Sequence, residues 1–175
     1  MDCKILHKIS GYLDGLGTIN THFGTCYGHE YVFCESENDL PLEQVVIQYN
    51  KSSNLKNHDD IKFLPLRLIE DWKETLFEVS AYWFFSLYRM QNFQVRVTYF
   101  DDNGEELPEI PAEFDKRSNS VSTKLIDLID EFFDGRELNV YRLETEVEEK
   151  NEFDWEQFYF VIDGKVFILE FYQWG

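Results

Sequence analysis

"FYFVIDGKVFILEFY", residues 158–172, decides the fold. Two apolar runs flank Asp163-Gly164. A two-residue Asp-Gly link adopts a backbone twist that matches the right-handed twist of paired strands. The stretch therefore predicts an antiparallel β-hairpin at the C-terminal end of the chain.

Working upstream, "ELNVYRLETEVE" (137–148) predicts a long strand. Before it, Val121, Leu125, Leu128, Ile129 and Phe132 recur at helical spacing, while Asp127, Asp130, Glu131 and Asp134 point to water. This predicts a helix over 121–134 that stops at Gly135. Residues 105–119 contain Pro108 and Pro111 and predict a loop, and "FQVRVTYF" (93–100) predicts a strand entering the turn "DDNG". A longer helix is predicted over 66–90, where Ile69, Trp72, Leu76, Val79, Trp83, Leu87 and Met90 share one face and Pro65 suits the first turn.

Nearer the N-terminus, "EYVFC" (30–34) and "LEQVVIQY" (42–49) predict strands, and the glycines within 11–40 predict a loop-rich region. Strands joined by tight turns, with helices that do not alternate strictly with them, define an α+β class. The expected architecture is a mostly antiparallel sheet with one long and one shorter helix packed on a face. At 175 residues the chain has the length of one domain, with an acidic strand and the hairpin occupying 136–175.

The net charge is −18, yet 43% of residues are hydrophobic and 17% aromatic, so this is no disordered acidic tail. Residues 101–175 hold 21 acids and 7 bases, which gives −14 of that charge. Direct nucleic-acid binding needs lysine and arginine against phosphate, and an anionic membrane surface needs the same, so both are disfavoured. The charge favours a basic protein partner.

That charge culminates in "ETEVEEKNEFDWEQF" (144–158), with seven carboxylates and one lysine beside two phenylalanines and a tryptophan. Strand alternation would turn Arg142, Glu144, Glu146 and Glu148 to solvent, with successive side chains about 7 Å apart. Glu149, Asp154, Trp155 and Glu156 follow. One interpretation is a charged edge that keeps sheets from joining. The other is a partner-binding face, in which acids speed encounter and Trp155 fills a pocket. A calcium loop is not indicated, since the spacing lacks its glycine.

"HFGTCYGHEYVFC" (22–34) holds His22, Cys26, His29 and Cys34, four candidate zinc ligands. On one strand Cys26 and Cys34 would lie roughly 27 Å apart with His29 on the other face, so only a turn at Gly28 could gather them. Buried cysteines beside ordinary turns are the favoured explanation of the pattern, and no metal site is expected. No phosphate-binding loop, nucleophile elbow or HExxH motif is present, and no cofactor is implied. Three cysteines without regular spacing, no apolar leader at the N-terminus and no long apolar segment fit a cytoplasmic protein.

"LPLRLIEDWKETLFEV" (64–79) and "FDWEQFYFVIDGKVFILEFY" (153–172) give the chain a style that resembles the immunity proteins of bacterial polymorphic-toxin and contact-dependent growth-inhibition systems. The resemblance implies a non-enzymatic inhibitor that binds a cognate toxin domain, often a basic nuclease, and blocks its active site. It carries no diagnostic motif, so it assigns no residue a role. On charge and alternation, Glu144, Glu146, Glu148, Asp154 and Glu156 would stand in for the phosphates that the toxin expects. The alternatives are a phosphate mimic that regulates a nucleic-acid-binding protein, an enzyme with an unrecognised site, and a structural domain kept soluble by its acids.

Overall fold

The computed structural model describes residues 2–23, 28–36, 40–52, 65–94, 112–143 and 153–174. The C-terminal hairpin is present as expected: β4 (Phe153–Ile162) pairs antiparallel with β5 (Lys165–Trp174), in a register that sets Ile162 against Lys165 and Phe158 against Leu169. Asp163 and Gly164 join them at φ values of 50° and 75°, the left-handed pair that a tight hairpin turn requires.

Three more strands complete one antiparallel sheet: β1 (Gly28–Glu35), β2 (Leu66–Ile69) and β3 (Asn139–Leu143). The order across the sheet is β1-β5-β4-β3-β2, so the hairpin lies near its middle. With helices α1 (Cys3–Phe23), α2 (Leu42–Ser52), α3 (Trp72–Gln94) and α4 (Ala112–Phe133), the class is α+β.

The two expected helices correspond to α3 and α4, and both pack on one face of the sheet. Asp71 caps α3: its carboxylate accepts from the Glu74 amide at 3.0 Å. The cap ends β2 and starts the helix at Trp72, so the helical reading of 66–69 is corrected to a strand. Gly135, at φ +62°, closes α4 by donating its amide to the Asp130 carbonyl at 3.0 Å. The helix begins at Ala112, earlier than the expected 121, so 112–119 are helical and not loop. Phe93 and Gln94 belong to α3; the rest of the strand expected at 93–100 lies outside the described residues, as do Pro108 and Pro111.

Two further corrections change the layering. The glycine-rich stretch contains α1, with Asp2 capping its first turn through the Lys4 amide at 2.8 Å. Ile5, Leu6, Ile9, Leu13 and Leu16 supply an apolar stripe that outweighs the helix penalty of Gly11, Gly15 and Gly17. Residues 42–49 form α2 and not a strand, because Leu42, Val45, Val46 and Tyr49 follow helical spacing and meet the sheet together. Burial of that stripe overrides the β preference of valine and isoleucine.

The sheet is therefore covered on both sides. Tyr31, Phe33, Phe158, Phe160, Phe167, Leu169 and Phe171 face α1, α3 and α4. Phe133 of α4 stacks on Phe160 with ring centres 5.7 Å apart, and Trp83 of α3 stacks on Phe171 at 5.9 Å. Such ring pairs add about 0.5–1.5 kcal/mol each beyond simple burial. Inside this layer Asn20 donates to the Tyr31 hydroxyl at 2.8 Å, which in turn donates to the Trp83 carbonyl at 3.0 Å, tying α1, β1 and α3 together. Burial pushes the Tyr31 hydroxyl well above its ordinary value. On the opposite face Leu143, Trp155, Tyr159, Val166 and Ile168 form a smaller core with α2.

Candidate functional site

Of the residues expected to form an acidic binding face, Glu144, Glu146, Glu148 and Glu149 lie outside the described residues. Asp154 is on β4, opposite Gln173 of β5. Trp155 is 7% exposed and packs in the core beneath α2, so it is not the displayed aromatic anchor that the sequence suggested. Alternation explains the difference: Trp155 shares a face with Gln157 and Tyr159, and a helix covers that face. Glu156 points to the other side, half-buried, and pairs with Arg142 across β3 and β4. Arg142 is thus engaged within the fold and does not simply project into water.

The zinc candidates are dispersed. His22 is exposed near the end of α1, where Nδ1 donates to the Thr18 carbonyl at 2.9 Å. His29 is buried on the α1 side of β1, whereas Cys34 is half-buried on the α2 side. Cys26 lies outside the described residues. Among the described residues no three His, Cys, Asp or Glu side chains come together as a metal site, and no helix is long and apolar enough to cross a membrane.

Among the described residues, acids gather where the start of α3 meets the end of α4. Residues 70–84 and 120–134 together hold eight acids and two lysines. Lys73 of α3 bridges to Asp130 of α4 at 2.7 Å, which places the start of α3 beside the end of α4. Lys8 of α1 reaches Glu131 at 3.8 Å. Glu74, Glu78, Asp127 and Asp134 remain exposed around these bridges. Asp130, Glu131 and Asp134 crowd the C-terminal end of α4, where unsatisfied carbonyls already carry partial negative charge. Local stability favours lysine or arginine at such an end, so this placement works against the helix. Arg136 offsets part of it: Nε donates to the Phe133 carbonyl at 3.0 Å, and Nη1 pairs with Asp163 in the hairpin turn at 2.6 Å.

A second group of polar residues sits under α2 and carries a buried carboxyl. Glu170 of β5 is 7% exposed. Its two oxygens accept from the Tyr49 hydroxyl at 2.8 Å and from Gln157 Nε2 at 2.6 Å. Gln157, fully buried, exchanges two hydrogen bonds with Asn50 of α2, at 2.8 and 3.1 Å. The Tyr159 hydroxyl donates to Gln157 Oε1 at 2.6 Å. Burial pushes the Glu170 carboxyl above its ordinary value; the bonds from Gln157 and Tyr49 act against that, and the charge of Glu30 adds to it. Tyr49 and Tyr159 are both raised well above the ordinary phenol value, again chiefly by burial.

Sequence inspection missed this cluster, though one signal for it is present. "VFILEFY" (166–172) places a single carboxylate in an otherwise apolar strand. A strand apolar at nearly every position is buried on both faces, and a glutamate there needs partners from a covering element. No protein-family model, no curated protein and no solved structure matches this chain.

Proposed function

We propose that the chain is a non-enzymatic binding protein that neutralises a basic protein by charge complementarity, in the manner of the immunity proteins it resembles at 64–79 and 153–172. One observation carries this reading: a net charge of −18, part of which gathers where the start of α3 meets the end of α4, against the dipole of α4. Same-sign charge placed at a local disadvantage is relieved when a cationic surface docks on it. The partner in view is a nuclease-type toxin domain with a basic active-site cleft.

The test is co-purification with a basic C-terminal domain encoded immediately upstream of this chain's reading frame. Two charge-reversed forms are then compared, Asp127→Lys with Glu131→Lys, and Glu144→Lys with Glu146→Lys and Glu148→Lys. At least one should slow association by tenfold or more at low salt, with the denaturation midpoint within error of the parent, because rim charges act mainly on the on-rate. Equal on-rates for all three proteins would remove charge complementarity as the basis of binding. Capture of a nucleic-acid-binding protein in place of a toxin domain would favour the phosphate-mimic alternative.

A further inference from the structure

The buried polar cluster joins α2 to the sheet, and Glu170 is the acid within it. We propose that Glu170 is a proton-sensitive latch for α2: its neutral carboxyl group seats the helix, and its ionisation loosens the seat.

Helix α2 has only 11 residues, too few to be stable without tertiary contacts. The apolar part of its footing is Val45 and Val46, supported by half-buried Leu42 and Tyr49. The remaining footing is polar: the Tyr49 hydroxyl on Glu170, and the Asn50 amide on Gln157 and Tyr159. Asn50 is also held from within the helix, its Nδ2 donating to the Val46 carbonyl at 2.9 Å. Lifting α2 therefore breaks each of these cross-element bonds and opens Glu170 to water.

Among the described residues, the groups around the carboxyl supply no positive charge. Glu30 and Cys34 face it from β1, Tyr172 flanks it on β5, Tyr159 lies on β4, and Tyr49 descends from α2. Lys51 at the end of α2 is exposed, and Arg142 lies on the other face, paired with Glu156. Among the described residues, an ionised Glu170 is then a buried anion stabilised by the hydrogen bonds of Tyr49 and Gln157, with Glu30 nearby. Water stabilises that anion better than the cluster does, and water reaches it when α2 lifts. The carboxyl is thus harder to ionise with α2 seated than with α2 lifted. Seating is strongest below the ordinary glutamate value of 4.5 and is lost as the pH rises through the raised value.

The experiment is amide hydrogen exchange of the intact chain from about pH 5 to about pH 8, corrected for the intrinsic pH dependence of exchange. The α2 amides are read against those of β4 and β5. Protection of α2 should lie below that of the hairpin, as local opening requires, and should fall by up to tenfold per pH unit above 4.5, levelling once the seated carboxyl has titrated. In Glu170→Gln, whose amide can donate to the Tyr49 oxygen, α2 protection should stay level with pH. In Tyr49→Phe, which removes a bond to the ionised form, the fall should start at the same pH and continue to a higher one. The carboxyl carbon shift of Glu170 gives a readout that needs no variant: its midpoint must lie above 4.5 and mark the pH at which the fall in α2 protection levels off. A level α2 profile in the parent protein, an unchanged slope in Glu170→Gln, or a Glu170 midpoint that does not track α2 protection would each overturn the latch.

Discussion

The backbone oxygen of His29 lies 3.0 Å from the point where a β-carbon on Gly17 would sit. Helix α1 thereby rests almost directly on β1, and Thr21 one turn later fixes the approach by accepting from the His29 amide at 2.9 Å. Gly17 is required by contact, not by backbone conformation. Gly11 and Gly15 in the same helix are exposed, with nothing within 4 Å of an added β-carbon.

Three alanine substitutions should therefore differ in sign. Gly11→Ala and Gly15→Ala should each raise stability by about 0.5–1 kcal/mol, since alanine restricts the unfolded chain and favours the helix. Gly17→Ala should lower it by about 1–3 kcal/mol, because the backbone of β1 must shift to admit the methyl group. Urea midpoints of the three variants check this, and a stabilising Gly17→Ala would show that α1 is not seated as described.

Asn50 should be worth more than its size suggests. Its loss leaves Gln157 Nε2 with Glu170 alone and Tyr159 with one bond fewer, deep under α2. Asn50→Ala should cost about 1–3 kcal/mol, the usual penalty for orphaning buried polar groups. A cycle with Gln157→Ala should show strong non-additivity, since both residues serve the same pair of bonds. Additive losses would mean that the two amides do not act as a unit.

The hairpin turn separates backbone strain from side-chain pairing. Gly164 has open space around it, so Gly164→Ala tests only the positive φ and should cost about 1–2 kcal/mol. Asp163→Asn keeps a residue that tolerates the left-handed region and loses only an exposed ion pair with Arg136, so the change should stay within about 0.5 kcal/mol. Thermal melts of both variants decide this, and a larger loss in Asp163→Asn than in Gly164→Ala would point to the ion pair as the larger contribution.

Glu170 sets the direction of one pH effect on overall stability. Its carboxyl is raised in the folded protein, so its proton favours folding, and that contribution is lost as pH climbs above 4.5. Glu170→Gln carries no titrating group there. The stability of the variant relative to the parent should rise as pH climbs above 4.5 and level off once the folded carboxyl has titrated. Denaturant midpoints measured across that range provide the check, and a constant difference would show that Glu170 titrates alike in both states.

The amino-acid sequence by itself determined the features that depend on neighbours along the chain. Asp163-Gly164 fixed the hairpin because its two left-handed residues suit few other structures. The stripe from Val121 to Phe132 and the stop at Gly135 fixed the latter part of α4. Tertiary structure decided what depends on the opposite side of a contact. The α2 segment reads as a strand by residue preference and becomes a helix because Val45, Val46 and Tyr49 must reach one sheet face together. The glycines of α1 read as loop until β1 is seen lying against Gly17. Trp155 looks like a surface anchor until a helix covers its side of β4, and Glu170 looks like one more acid until Tyr49 and Gln157 close over it. Burial is a property of two surfaces meeting, and a single chain segment carries only one of them.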